Sequence, residues 1–347
     1  MRTAWVSIIV ITLFLVSCNP GNNKKTSESG SADSLTSGID DLNKLISENS
    51  SDPDLFHKRA RLYLLKPDLD LALKDLNSAI TLSPGNPSYY ITLSDVYLLR
   101  GETKNCEGSL AKALSVDPVN NEALLKLAKL KLIIREYSAV FENVKKALAA
   151  EPLNPRAYFI RAIALLETGD TIRAVDDLKK TVDQDQEFFE AYLELGELYS
   201  MKKDKIAADY LRNALNIRPD NKDALYLLGM FYQETGQYEK AIDTYAILGK
   251  VDTTFRNAPY NTGYIYLVYL NDFKKAIIFF SQAIRRDPEY AEAYYNRGYA
   301  YELSGQIEKA YSDYKSSLRL VPNYQKAVDA LNRLDKIILG KNQSRSE

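Results

Sequence analysis

A single histidine, His57, stands in 347 residues, and that alone removes most of the chemistry a chain of this size could carry. Serine and cysteine nucleophiles in triads pass their proton to a histidine base, and common zinc sites draw on histidine pairs. One imidazole leaves at most a single triad base or a single zinc ligand, and histidine pairs and HExxH are absent. No GxxxxGK[ST] loop is present to cradle a phosphate, and no GxSxG turn to present a serine. Asp68 and Asp70 begin something like a calcium loop, but its sixth position, which requires glycine, is Leu73. Paired carboxylates such as Asp176 and Asp177 lie in a helical pattern, where a solvated face is expected, and His57 reads as a surface residue rather than a ligand. The sequence therefore predicts no catalytic residue, no metal site and no cofactor. It predicts a binder, not an enzyme.

Composition agrees with a folded protein, at 46% hydrophobic and 26% charged, and tyrosine is heavy at 25 residues. The net charge of -1 is spread along the chain. Nucleic-acid binding needs a concentrated excess of Lys and Arg, so nucleic acid is excluded as an expected partner.

The first residues stand apart from the rest. Arg2 is a short positive region, and Ala4 to Val16 form an apolar stretch too short to span a bilayer. Leu15-Val16-Ser17-Cys18 follows at once. This resembles the bacterial lipobox, which implies a signal peptide over residues 1–17 and a lipid-modified Cys18 as first residue after cleavage. A soluble export signal, or an uncleaved anchor with Cys18 incidental, is the alternative. Acyl chains would hold the protein at a membrane, each buried methylene adding roughly 0.8 kcal/mol. Residues 18–36 are poor in apolar side chains and read as a flexible tether with a reach of roughly 20–25 Å. Only Cys106 then remains, so no disulfide framework exists. It falls where other segments place Ala72, Ala174 and Ala241, which predicts a small buried packing residue.

Something must position any binding surface, and the chain shows what. Proline recurs every 34 residues at Pro84, Pro118 and Pro152, then returns at Pro219, Pro288 and Pro322. Ala291 to Tyr324, AEAYYNRGYAYELSGQIEKAYSDYKSSLRLVPNY, places Tyr294, Gly298, Tyr301, Ala310, Tyr314 and Pro322 at the offsets of the tetratricopeptide repeat, which it closely resembles; Arg297 and Ser317 depart from that pattern. Seven further blocks fill residues 53–290, the fifth one residue short and the seventh one residue long in the turn between helices. Small residues at positions 8, 20 and 27 let two antiparallel helices approach, and proline ends the second. The resemblance implies an all-α, right-handed TPR solenoid of about eight helix-turn-helix repeats over residues 53–324. A capping helix is expected over 37–52, through Leu42 and Leu45, and a capping helix and tail over 325–347, through Val328, Leu331, Leu334 and Ile338.

In that family the first helix of each pair lines the concave face through positions 2, 5, 6, 9, 12 and 13. Here those positions change along the chain. The first block offers His57, Lys58 and Arg61, the third Lys126 and Lys129, and the fifth an acidic ridge of Glu190, Glu194 and Glu197. The last three offer Tyr226, Met230, Tyr260, Asn261, Tyr264, Tyr295, Asn296 and Tyr299, and 16 of the 25 tyrosines fall between Tyr226 and Tyr324. Tyrosine gives contact area at low entropy cost, and asparagine can bond a peptide backbone. These eight residues are the expected groove for a protein or peptide partner, with the convex face or an end as alternatives. Tyr at positions 5 and 9 sets aside the carboxylate-clamping subtype, and a basic clamp of Lys58, Arg61, Lys126 and Lys129 reads instead as solvated charge.

The expected function is a membrane-tethered adaptor or scaffold in a bacterial cell envelope, on the outer membrane rather than the inner, with its repeats in the periplasm or at the cell surface. A glycan-binding lipoprotein, or a component of a secretion, pilus or outer-membrane assembly machine, is the alternative. The oligomeric state is not legible.

Overall fold

The structure is a computed structural model that describes residues 28–343. The leader and Cys18 lie outside the described residues. Within them the chain forms 18 helices and no strand. Two compact units divide at Gln186. The first holds α1 (Glu28–Glu48) and four helix pairs: α2 (Pro53–Leu65) with α3 (Leu69–Leu82), α4 (Pro87–Leu99) with α5 (Thr103–Val116), α6 (Asn121–Ile133) with α7 (Tyr137–Ala150), and α8 (Pro155–Glu167) with α9 (Thr171–Gln184). The second holds α10 (Phe189–Met201) with α11 (Ile206–Ile217), α12 (Lys222–Glu234) with α13 (Tyr238–Val251), α14 (Asn257–Val268) with α15 (Phe273–Arg286), α16 (Ala291–Leu303) with α17 (Ile307–Leu320), and a closing helix α18 (Gln325–Gln343).

Helix boundaries follow from residue chemistry. Asn86, Asn120 and Asn154 follow the block prolines by two residues, and each side chain accepts a backbone N–H of the next helix, at 3.0–3.2 Å. Pro53, Pro87 and Pro155 occupy the first helical turn, where a missing N–H costs nothing. Between the helices of a pair the chain needs one left-handed residue. Gly169 and Gly305 supply it at φ 88° and 77°, whereas Arg135, Lys203 and Asn271 take the same conformation with a side chain attached.

Packing within pairs explains the small-residue pattern. A methyl group on Gly229 of α12 would lie 2.5 Å from the ring of Tyr245 of α13, and one on Gly298 of α16 would lie 3.0 Å from Tyr314 of α17. Both rings are almost wholly buried. Cys106, at 2% exposure, packs with Leu110 and Ala113 as a small apolar residue. Burial pushes its thiol up to about 11.

Three pairs carry a feature that the apolar pattern does not foretell. Arg59 and Asp75, Arg161 and Asp177, and Arg297 and Asp313 occupy the same two repeat positions, 16 residues apart. Each pair forms a two-pronged ion pair at 2.6–2.8 Å. The guanidinium lies against aromatic rings of its own first helix, Phe56 and Tyr63 in one case, Tyr294 and Tyr301 in another. Asp177, expected on a solvated face, is thus only 3% exposed. Two other pairs put an aromatic ring at the aspartate position, where it stacks on a tyrosine of the first helix: Tyr210 on Tyr199, and Phe279 on Tyr266, with centroids 5.5 Å apart.

Both ends are covered. α1 begins at Glu28, inside the segment expected as tether, because a helix once nucleated extends cheaply through residues that do not oppose it. Among its described side chains Ile39 is buried, while Leu45 stays exposed, and Asn43 accepts from Arg59. At the other end α18 seals Tyr314 through Ala330 and Leu334. Arg333 makes a two-pronged contact at 2.8 Å with Glu302, which also accepts from Tyr314 at 2.6 Å.

Candidate functional site

The second unit brings the expected groove residues together on three successive first helices, two on α12 and three each on α14 and α16. About one turn spans the members on each helix. Between helices they interlock. Asn296 of α16, 9% exposed, donates through Nδ2 to the hydroxyl of Tyr260 on α14 at 2.8 Å. Asn261 of α14 donates to the hydroxyl of Tyr245 at 3.1 Å and sits 3.8 Å from Sδ of Met230 on α12. The same amide-to-phenol link is thus made at both asparagines.

The rings form a second layer of contacts. Tyr260 stacks on Tyr290 at 4.8 Å and meets Phe280 edge-on. Tyr226 meets Phe255, Tyr264 meets Tyr269, and Tyr295 meets Tyr324, each edge to face. Burial, with the neighbouring Tyr324 and Glu292, holds the Tyr260 phenol well above the ordinary tyrosine range, so it stays neutral and can both donate and accept. Tyr299 packs half-buried between the clusters on either side.

None of the eight side chains is fully open to solvent, which revises the simple picture of a free polar lining. The two asparagines use part of their capacity within the protein. An amide carries two N–H groups and a carbonyl, so one bond each leaves further valence, now held in a fixed orientation.

The other charged groups marked in the sequence do not converge. His57 is half-buried rather than on the surface: its Nε2 lies 2.8 Å from Thr92 Oγ1, its ring tilts over Tyr89, and burial, aided by Arg61, lowers its pKa. Lys126 pairs with Asp95 at 2.6 Å, and Lys58 and Arg61 are exposed. Asp68 caps α3, which explains its carboxylate without calcium. Of the acidic ridge, Glu190 pairs with Arg218 at 2.9 Å. Glu194 is 6% exposed; burial, with Glu197 one turn on, pushes its carboxyl up to about 8. Among the described residues no cluster of His, Cys, Asp and Glu is arranged to hold a metal ion, and no helix is long and apolar enough to cross a membrane.

Four segments match known family descriptions: residues 142–187, 207–257 and 291–324 as "Tetratricopeptide repeat", and 263–305 as "TPR repeat". The chain carries tetratricopeptide repeats. A solved structure of the C-terminal part of a TPR repeat-containing protein from Cytophaga hutchinsonii superposes with a TM-score of 0.60 at 17% identity, over 70% of this chain and 99% of that one. That likeness shows the fold. Among curated proteins, Protein FlbA of Caulobacter vibrioides is 27% identical over 165 residues, 47% of this chain and 27% of its own. The BBSome complex member BBS4 homolog of Drosophila melanogaster is 28% identical over 158 residues, 44% of this chain and 31% of its own. The chain therefore spans less than a third of the curated relatives it matches. TPR proteins generally act as protein-interaction adaptors or scaffolds, and the repeats found here set this chain among them.

Proposed function

We propose that this chain is a lipid-anchored adaptor of a bacterial cell envelope, tethered through Cys18, and that it holds an extended or helical protein segment along α12, α14 and α16. One observation carries the binding reading. In a single compact unit, matched positions of three successive first helices supply Tyr, Met and Asn, with Asn296 bonded to Tyr260 on α14 and Asn261 bonded to Tyr245 on α13. A surface ordered before binding loses less entropy when a partner arrives. Tyr260 stacking on Tyr290 favours a protein ligand over a sugar, since a ring face covered by another ring is closed to a pyranose. The anchoring reading rests on Leu15-Val16-Ser17-Cys18 after the apolar stretch.

The test is cross-linking of the intact protein in its own cells, comparing wild type with Tyr264→Ala/Tyr299→Ala. Tyr260 is left unchanged because it supports Asn296. Anchoring tyrosines are worth about 2 kcal/mol each, so a partner captured by wild type should be lost from the double variant while its helical circular dichroism is kept. Undiminished capture would move binding away from these helices. Metabolic labelling with an alkyne fatty acid reads the anchor separately; label that survives Cys18→Ser would refute lipidation there.

A further inference from the structure

Repeats provide their own comparison, and three departures from the pattern meet at one place in the second unit. The residue aligned with Gly249 near the end of α13 is Leu114, Leu148, Leu215 or Leu318 in other repeats. Arg286, at the end of α15, aligns with Leu82, Val116, Ile217 and Leu320. Thr253 takes the place of the proline that closes most other blocks.

These departures are complementary. With no side chain on Gly249, the Arg286 guanidinium occupies the space, 3.3 Å from where a Cβ would stand. Arg286 donates to the carbonyls of Phe255 at 2.8 Å and Gly249 at 3.2 Å, which fixes its plane. An open cavity of about 420 Å³ lies beside it, lined by Thr253, Thr254, Gln282, Arg285 and Arg286. Every lining residue carries a hydrogen-bond donor, and none carries a carboxylate.

The nearby carboxylates have hydrogen-bond and ion-pair partners of their own. Asp252 accepts from Thr254, through both its backbone N–H at 2.9 Å and its hydroxyl at 2.6 Å, and from Lys222 at 3.0 Å. Asp287 pairs with Arg256. Neither Arg285 nor Arg286 forms an ion pair among the described residues. Carbonyl contacts orient Arg286 without neutralising it, and burial disfavours its charge more than the nearby Asp252 carboxylate favours it. Capping the end of α13 would account for Arg286 alone, but not for Arg285 and the hydroxyls gathered around the same opening.

We propose that this cavity binds a phosphate group, with Arg285 and Arg286 as its charged donors and Thr253 and Gln282 as neutral ones. Guanidinium forks match two oxygens of such an anion. The group could belong to a small phosphorylated molecule or to a phospholipid headgroup. The purified repeat-bearing chain would be titrated with pyrophosphate by calorimetry, and separately mixed with phosphatidylglycerol/phosphatidylcholine vesicles in a flotation assay, against Arg285→Gln in both. Saturable pyrophosphate binding, weakened about tenfold or more in Arg285→Gln, supports a small-molecule source. Vesicle binding without pyrophosphate binding, lost in the same variant, supports a headgroup. Absence of both, or equal binding by wild type and Arg285→Gln, overturns the proposal. Arg285 is exposed and forms no hydrogen bond or ion pair among the described residues, so its loss should leave the circular dichroism unchanged.

Discussion

Removing Asp313 should be far more damaging than removing the whole ion pair. Asp313 receives Arg297 Nε at 2.7 Å and Nη2 at 2.8 Å, and the two side chains are 8% and 19% exposed. Asp313→Ala leaves a guanidinium between the rings of Tyr294 and Tyr301 with Ser281, at 3.0 Å, as its remaining hydrogen-bond acceptor. Breaking one half of a buried pair costs about 3–5 kcal/mol. The same unit holds a natural alternative, because the equivalent positions in α12 and α13 are Leu228 and Thr244. Arg297→Leu/Asp313→Thr copies that solution and should return to within about 1 kcal/mol of wild type, since apolar replacement of a buried pair is often neutral or better. Far-UV circular dichroism during urea unfolding is the suitable probe, as the chain's one tryptophan is Trp5, outside the repeats in the sequence. Stability changes confined to the last repeats also call for hydrogen exchange on α16 and α17, because repeat arrays need not unfold in one step. An Asp313→Ala loss below about 1 kcal/mol, or a double variant as weak as the single one, would refute this account.

Glu194 gives a pH prediction of definite sign. Its carboxyl is raised to about 8 in the fold, so between about 4.5, the ordinary glutamate value, and 8 the folded state holds a proton that the unfolded chain releases. Stability from this residue is complete at low pH and declines as pH rises through that window; Glu194→Gln should flatten the decline in urea midpoints measured from pH 5 to 9, and an unchanged slope would count against a buried neutral acid. Cys106 should resist iodoacetamide at pH 8 in the native protein and react fully in denaturant, read by mass spectrometry of its own tryptic peptide; rapid native alkylation would contradict its burial and its raised thiol.

How far the sequence reached can be argued residue by residue. Repeat boundaries were legible because proline has few places to stand. Pro53, Pro87 and Pro155 begin helices, as the blocks require, and Ala291 opens α16 where its block opens. Positions that need a small residue were legible for the same steric reason: Gly229 and Gly298 face Tyr245 and Tyr314 with no room for a methyl. The start of α1 was not, since Glu28 to Thr36 carry no apolar period to announce a helix. Arg297 read as a departure from the pattern only while its block was considered alone. Comparing Arg59 with Asp75, Arg161 with Asp177 and Arg297 with Asp313 would have exposed the pairing, because both members change together. At the groove the neighbours were foreseen but not their bonds. Whether Asn296 faces a ligand or Tyr260 depends on side-chain torsions, which one-dimensional spacing does not specify.

A distinction follows for reading departures in a repeated fold. Where a polar residue replaces an apolar one and its partner changes too, as Arg161 does with Asp177, the departure is closed: charge is matched within the repeat and nothing is left for a ligand to satisfy. Arg286 is different. Gly249 makes room for it, so the sterics are matched, yet its bonds go to carbonyls and Asp252 acts on it only from a distance. Glu194 is different in the same way, buried with only the like charge of Glu197 acting on it, and it resolves the conflict by keeping its proton. An arginine has no such escape, since it cannot deprotonate near neutral pH. An unmatched buried carboxyl can therefore persist as a neutral acid, whereas an oriented, partly buried guanidinium that no carboxylate contacts is the stronger marker of an anion site.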